Sequence, residues 1–380
     1  MNSTQNPNLT VSCNASPGSP GIGVATYFVI LILISLVGNS MVCIAIFVHK
    51  SLRTATNVLV ASLAMSDIGV SITIMPFRIL EELNTCLSRE VCITFMVLDI
   101  VVSTSSVMTL LAIAVERAIA VKVPGLYTMG RFCNKAIAVC VLIWSYGIMS
   151  AVFAPFSWDT SLKNISVFSI QGKCINKNYN YIKWLYSMNF FLPLLVISAV
   201  YLCLFCILRK RMLTFRSSQY GRRRRRELGD VEDTIFDRRL HKATKTLVSI
   251  YVCFLVCWLP NGVIVMIHAT SQSAFRTIYR YSSVLYFIIY YTCSIILPPL
   301  NSVLNPFIYG MYHTGVKKAV FEILFDTRSR QKNVTLLHLE NNNNDHRLQV
   351  LTHRRKHLLP QSRPSPATAL TVPEIVETAL

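Results

Sequence analysis

Seven stretches of mostly apolar residues, at 25–48, 57–80, 91–115, 135–156, 182–208, 244–268 and 283–310, limit what this chain can fold into. About 20 such residues cross a hydrocarbon core as a helix. Backbone N–H and C=O groups find no water in lipid, so stretches of this length predict a helical bundle. The alternation in units of about ten residues that marks a membrane barrel is not visible. Composition agrees: 14% of the chain is charged, against about 25% in a soluble protein. The expected fold is an all-α membrane protein, a seven-transmembrane helix bundle with a short amphipathic eighth helix at 313–325. Residues 1–24 form the N-terminus, 25–325 the membrane domain, and 326–380 a tail whose Asn341 to Asn344 run and Ser/Pro-rich stretch at 361–368 predict disorder.

Basic residues set the orientation. His49, Lys50 and Arg53 follow the first segment, Lys122, Arg131 and Lys135 surround the loop after the third, and the stretch from Arg209 to Arg226 follows the fifth. These connections are expected on the cytoplasmic side. No basic, cleavable leader is visible, so the N-terminus is expected outside. The sequons at Asn2, Asn8, Asn14 and Asn164 all fall on that side and are candidate glycosylation sites, whereas Asn333 falls inside and is expected to stay bare. The formal charge of +19 sits in inner loops and tail. Anionic lipid headgroups are its simplest partner, at about 1 kcal/mol per basic residue near the surface, and nucleic acid is not expected.

Of the twelve cysteines, Cys13, Cys86, Cys92 and Cys174 lie on the outer side. Four cysteines allow three pairings, among which sequence does not choose. Polar residues recur inside the segments, where they are costly and tend to carry function. In order they are Gly38-Asn39-Ser40, Ser66-Asp67, Glu116-Arg117-Ala118, Trp144, Pro193 with Tyr201, Cys257-Trp258-Leu259-Pro260, and Asn301-Ser302 with Asn305-Pro306-Phe307-Ile308-Tyr309.

With one motif per segment over residues 25 to 325, the chain resembles the rhodopsin-like (class A) G-protein-coupled receptors. The resemblance implies a disulfide between Cys92 and Cys174 that pins the outer loop over the bundle mouth, leaving Cys13 to pair with Cys86. It implies a sodium pocket of Asp67, Ser106, Asn301, Ser302 and Asn305, with Asp67 the metal-binding carboxylate; hard oxygen ligands suit a small cation. It also implies a switch built from Glu116, Arg117, Tyr201, Phe254, Trp258, Pro260, Pro306 and Tyr309. In that switch, agonist binding shifts Trp258 and Phe254, the sixth segment swings outward, and Arg117 is released to a heterotrimeric G protein at the plasma membrane. Two residues depart from the family: Ala118 replaces an aromatic, and Leu240 stands where relatives place an acid for Arg117. The second departure predicts appreciable agonist-free signalling.

Asp99 lies two helical turns below Cys92 and five above Arg117, in the outer cavity. It matches the carboxylate with which aminergic receptors pair a ligand ammonium. Ser103, Tyr186, Asn189, Trp258, Asn261 and Tyr291 complete the candidate ligand site. Arg78 projects toward the same cavity, so two readings stand. In one, Asp99 anchors a small biogenic amine, which the balance favours. In the other, an Asp99 to Arg78 bridge leaves a peptide or other non-amine ligand. Retinal is excluded, because the seventh segment has no Schiff-base lysine. A transporter or channel would show repeated halves or several midplane charges, and neither HExxH nor GxSxG marks an enzyme. In the tail, Ser362, Ser365, Thr368 and Thr371 are candidate phosphosites for arrestin, and Glu377-Thr378-Ala379-Leu380 resembles a PDZ ligand.

Overall fold

A computed structural model of the chain describes residues 19–122, 132–155, 167–170, 173–221, 228–271, 277, 280, 282–312, 315–323 and 325. Seven helices among the described residues are long and apolar enough to cross a membrane. They are α1 (Ser19–Val48), α2 (Ala55–Glu82), α3 (Arg89–Lys122), α4 (Phe132–Val152), α5 (the consecutive pieces Tyr179–Tyr186, Ser187–Phe191 and Leu192–Gly221), α6 (Leu228–Thr270) and α7 (Ser283–Tyr312). Helix α4 stops short of the 156 expected from hydropathy, in a turn at 153–155. The end of α1 at Val48 and the start of α7 at Ser283 coincide with the apolar stretches; at the remaining ends the helices outrun them, because residues beyond the hydrocarbon continue the same backbone hydrogen-bond ladder.

Side-chain caps start several of these helices, supplying acceptors for otherwise orphaned N–H groups. The Thr54 hydroxyl accepts from Asn57 N, Asn178 from Tyr181 N, and Ser282 from Leu285 N. Asn84, at φ 55°, adopts the left-handed conformation just after α2, where a short polar side chain substitutes for glycine.

Three helices each contain one wide π-helical turn, at Val70–Ile74, Ser187–Phe191 and Tyr291–Ile296. Each ends two residues before a proline: Pro76, Pro193 or Pro298. A proline inside a helix donates no N–H to the carbonyl four residues back and crowds it. Widening the preceding turn relieves that crowding and rotates the outer part of the helix relative to the inner part.

Helix α3 packs against α2, α4, α5 and α6, while α1 closes the ring by contacting both α2 and α7. Small residues permit the closest approaches, as expected where helices associate in lipid. A Cβ on Gly38 would stand 2.8 Å from the Pro306 ring, and one on Gly147 2.8 Å from Ser105 Oγ. At the end of the bundle that carries Cys92, β1 (Val167–Ile170) and β2 (Lys173–Asn176) form an antiparallel hairpin with Ser169 opposite Cys174. Nothing in the sequence reading anticipates these strands.

Residues 315–323 are helical, with Val316 and Ala319 buried and Lys317 and Lys318 exposed. They fall within the expected amphipathic segment, of which residues 313, 314 and 324 lie outside the described residues. The candidate glycosylation sites, the tail phosphosites and the C-terminal tetrapeptide also lie outside them. Chain compactness separates Met1–Phe321, which holds the bundle, from Glu322–Leu380.

Candidate functional site

Two adjoining cavities open the outer half of the bundle. The deeper one, about 290 Å³, is lined by Asp99, Ser103, Tyr186, Asn189, Phe190, Phe254 and Trp258, and it reaches down to Asp67, Ser106, Asn301 and Ser302. The outer vestibule, about 690 Å³, shares Asp99, Ser103, Tyr186 and Trp258 and adds Arg78, Glu81, Glu82, Asn261, Tyr290 and Tyr291. All seven expected ligand-site residues therefore line one continuous space, Asn261 and Tyr291 only at its mouth.

The three π-helical turns border this space: Val70, Asn189 with Phe190, and Tyr291 with Ser294 all line it. Phe190 presses against the backbone of Gly262 on α6, where no Cβ could fit without displacing the ring. The Phe190 and Phe254 rings lie 6.3 Å apart, and Phe254 stacks on Trp258 at 6.2 Å. Aromatic contact thus runs from the α5 wall to the floor of the cavity.

Asp99 receives a hydrogen bond from Ser103, one turn below, at 3.1 Å. The alternative bridge between Asp99 and Arg78 is not formed as a contact ion pair. Arg78 Nη1 instead pairs with Glu81 Oε2 at 2.6 Å, and its guanidinium lies 5.1 Å from the Phe95 ring centroid. The reason is local: residues three apart face one another on a helix, so Glu81 reaches Arg78 without leaving α2. The other Glu81 oxygen accepts from Cys174 N at 3.1 Å.

Cys174 is disulfide-bonded to Cys92, which anchors the hairpin to the top of α3 as expected. Cys86 is also disulfide-bonded, and Cys13, its expected partner, lies outside the described residues. Tyr291 donates to Glu82 Oε2 at 2.9 Å, tying α7 to α2 across the mouth.

Below the ligand space, Asp67 is 2% exposed and its Oδ2 accepts from Asn305 Nδ2 at 2.8 Å. Ser106, Asn301 and Ser302 are buried around it. The side-chain oxygens of Asn301 and Asn305 have no hydrogen-bond partner among the described residues. Buried acceptors without donors are costly, and a carboxylate with neighbouring free oxygens is a donor set that a small hard cation fits. A second network, not foreseen from sequence, lies alongside. Asn39 donates to Ser302 O at 2.9 Å and to Ser35, and Ser71 donates to Ser35 Oγ at 2.7 Å. These bonds join α1, α2 and α7.

At the inner end, Arg117 Nε is 3.3 Å from Glu116 Oε2. Both residues also meet Thr56: its hydroxyl donates to Glu116 Oε1 at 2.9 Å and accepts from Arg117 Nη2. Sequence reasoning missed Thr56, since a threonine on α2 carries no motif signal. Tyr201 is buried with its ring 5.6 Å from Tyr251, and Tyr309 is 1% exposed with no hydrogen-bond partner for its hydroxyl among the described residues. Pro260 and Pro306 lie inside α6 and α7. The side chain of Leu240 lies outside the described residues. The switch residues are thus present in one bundle, with the arginine held on α2 and α3.

Comparison with known proteins places this arrangement. The family described as "7 transmembrane receptor (rhodopsin family)" matches residues 38–309. Trace amine-associated receptor 6 of Mus musculus is 30% identical over 83% of this chain and 90% of its own length. Trace amine-associated receptor 8b of Rattus norvegicus is 30% identical over 83% and 91%. Adenosine receptor A2b of Canis lupus familiaris is 27% identical over 77% and 86%. Seven membrane-length helices, a motif on each and a match over most of the chain agree, and the protein belongs to the rhodopsin family of seven-transmembrane receptors, as a multi-pass membrane protein of the G-protein-coupled class.

Proposed function

We propose that this receptor binds a small biogenic amine in the outer cavity and passes the signal to a heterotrimeric G protein. The observation that carries this reading is the state of Asp99: its carboxylate lines both cavities, accepts from Ser103, and forms no ion pair among the described residues, because Arg78 is taken by Glu81. A buried carboxylate without a contact ion pair is costly within a membrane protein and favours a cationic partner. The similarity to trace amine-associated receptors points the same way.

Ammonium binding at Asp99 would set the rest of the ligand against Phe190, Phe254 and Trp258. Displacing Trp258 acts on α6 next to Pro260, where the helix lacks one backbone bond and bends most readily. Outward movement of the inner end of α6 would open the cavity beside Arg117 to the G protein. The test is a panel of amines, with adenosine as an uncharged comparison, on wild type, Asp99→Asn and Arg78→Ala. Losing the ion pair should weaken amine potency about 100-fold. Equal losses from Asp99→Asn and Arg78→Ala, or an undiminished response from Asp99→Asn, would sink the amine reading.

The Asp67 site is proposed to take a sodium ion, whose charge offsets the carboxylate when bound. Replacing sodium by N-methylglucamine should raise agonist affinity in wild type and leave Asp67→Asn unchanged; no salt effect in wild type would remove the ion from the account. The outward N-terminus is supported by the disulfide between Cys92 and Cys174, which needs the oxidising side, and by α1 beginning at that end, with Gly21 against Glu82 O. An N-terminal epitope should be accessible on intact cells. Agonist-stimulated phosphate on Ser362, Ser365, Thr368 or Thr371 and loss of arrestin recruitment on their replacement by alanine would establish the tail's role. Deletion of 377–380 would test a PDZ-domain partner in a pull-down.

A further inference from the structure

The mouth of the ligand space holds a cation with most of its hydrogen-bonding capacity unused. Arg78, on α2, lines the vestibule that Asp99 also lines. Among the described residues its only hydrogen bond runs from Nη1 to Glu81 Oε2, at 2.6 Å. Its side chain is 32% exposed, and neither Nε nor Nη2 is sealed from that space. A guanidinium carries N–H donors on every nitrogen, in a flat fork, so Glu81 leaves most of them to another acceptor.

Two contacts hold the group in place. Glu81 is 6% exposed, and both its oxygens are engaged, one on Arg78 and the other on Cys174 N. On the other side, the Phe95 ring centroid lies 5.1 Å from the guanidinium, and that ring stacks on Phe77 at 3.7 Å. Phe95 precedes Asp99 by one turn on the same face of α3, about 6 Å along its axis. Arg78 is thus held about one turn above Asp99, out of contact with it but within reach of one small molecule that touches both.

The chemistry changes in order from floor to mouth. Phe190 and Phe254 line only the deeper cavity, Asp99 lines both cavities, and Arg78 lines only the vestibule. Apolar surface, anion and cation therefore follow one another. A ligand complementary to all three presents an aromatic ring, an ammonium and an anionic group in that order. A planar carboxylate matches the guanidinium fork, with charge-assisted bonds stronger than neutral ones.

We infer that Arg78 is a second ligand anchor, and that the receptor is selective for zwitterions: aromatic α-amino acids whose ammonium meets Asp99 and whose carboxylate meets Arg78. This rests on the amine reading for Asp99. It narrows that reading from amines at large to those that keep a carboxylate beside the nitrogen.

The test compares L-phenylalanine, its methyl ester and phenethylamine on the full receptor in amino-acid-free buffer. Wild type should respond to L-phenylalanine at roughly tenfold lower concentration than to phenethylamine, the equivalent of one charge-assisted hydrogen bond. The ester, which masks the negative charge, should lose that advantage. Arg78→Gln combined with Glu81→Gln removes both partners of the ion pair, so no uncompensated carboxylate is left to repel the ligand. There the ratio should fall to one or below. A wild-type ratio near one, or a preference that survives in the double variant, would overturn the inference while leaving the amine reading intact.

A probe with a carboxylate and no ammonium separates this outcome from failure of the Asp99 anchor. In thermal-shift measurements on purified receptor, 3-phenylpropanoate should stabilise Asp99→Asn and should not stabilise Asp99→Asn carrying Arg78→Gln as well. That result alongside inactive amines would support the Arg78 anchor and count only against Asp99. Equal shifts in the two proteins, or none in either, would count against Arg78.

Discussion

Thr56 shows how much one unremarked side chain can hold. Its hydroxyl bonds both members of the Glu116 and Arg117 pair and is 4% exposed. Removing a hydroxyl from a buried charged network costs about 1.5–3 kcal/mol, here from the state in which Arg117 is tied to α2. Thr56→Val should therefore raise agonist-independent signalling several-fold, measured as basal second-messenger output, and Thr56→Ser should restore it. Basal output in Thr56→Val equal to wild type would show that Glu116 alone suffices. Sequence reasoning found Arg117 and Glu116 through their motif and noted Leu240 in place of an acid, but it could not see Thr56. Residues 56 and 116 meet only because α2 and α3 pack side by side. The same limit applied to Arg78. Sequence placed it near Asp99 correctly, and only side-chain geometry gave it to Glu81.

At the scale of helices, the prolines at 76, 193 and 298 are visible in the sequence, but the distortion that each brings is not. In all three the preceding turn widens, and each widened turn supplies a wall of the ligand space. The consequence is specific for α5. Pro193→Ala returns an N–H that can bond the carbonyl of Asn189 and draw the turn back to α-helical register. That change should rotate Tyr186 and Asn189 away from the cavity and lower agonist potency at least tenfold, with surface expression preserved; unchanged potency would mean the packing around Phe190 alone holds the turn. Close approach is an element-scale property too. At Gly147 a Cβ would meet Ser105 Oγ at 2.8 Å and the Val101 carbonyl at 3.0 Å. Gly147→Val should force α4 away from α3 and destabilise the receptor by about 1–3 kcal/mol, the range for overpacking, read as a lower melting temperature of the detergent-purified protein.

For the whole molecule, the covered mouth depends on two chemically different ties. The disulfide between Cys92 and Cys174 closes a loop with a sequence separation of 82 residues, and Glu81 meets the Cys174 N–H from α2. Cys174→Ala should lower both ligand affinity and thermal stability, whereas Glu81→Gln, which keeps an acceptor for Cys174 but releases Arg78 from its ion pair, should preserve the hairpin and free the guanidinium to approach Asp99. Amine potency that falls in Glu81→Gln and recovers in Glu81→Gln with Arg78→Ala would demonstrate the competition.

Hydrophobic run length, motif order and basic-residue placement were enough for seven helices, their sequence and the family, because each depends on local composition acting against one uniform solvent, the bilayer. The pocket residues were named largely by resemblance to the family, with helical spacing giving Asp99 and Arg78 their depth. Which of them actually touch was decided between helices, where a few ångströms of packing gave Arg78 to Glu81, Thr56 to Arg117 and Tyr146 to Asn189. Those choices depend on side chains from different segments competing for the same donors and acceptors in a space without water, and no single segment contains that information.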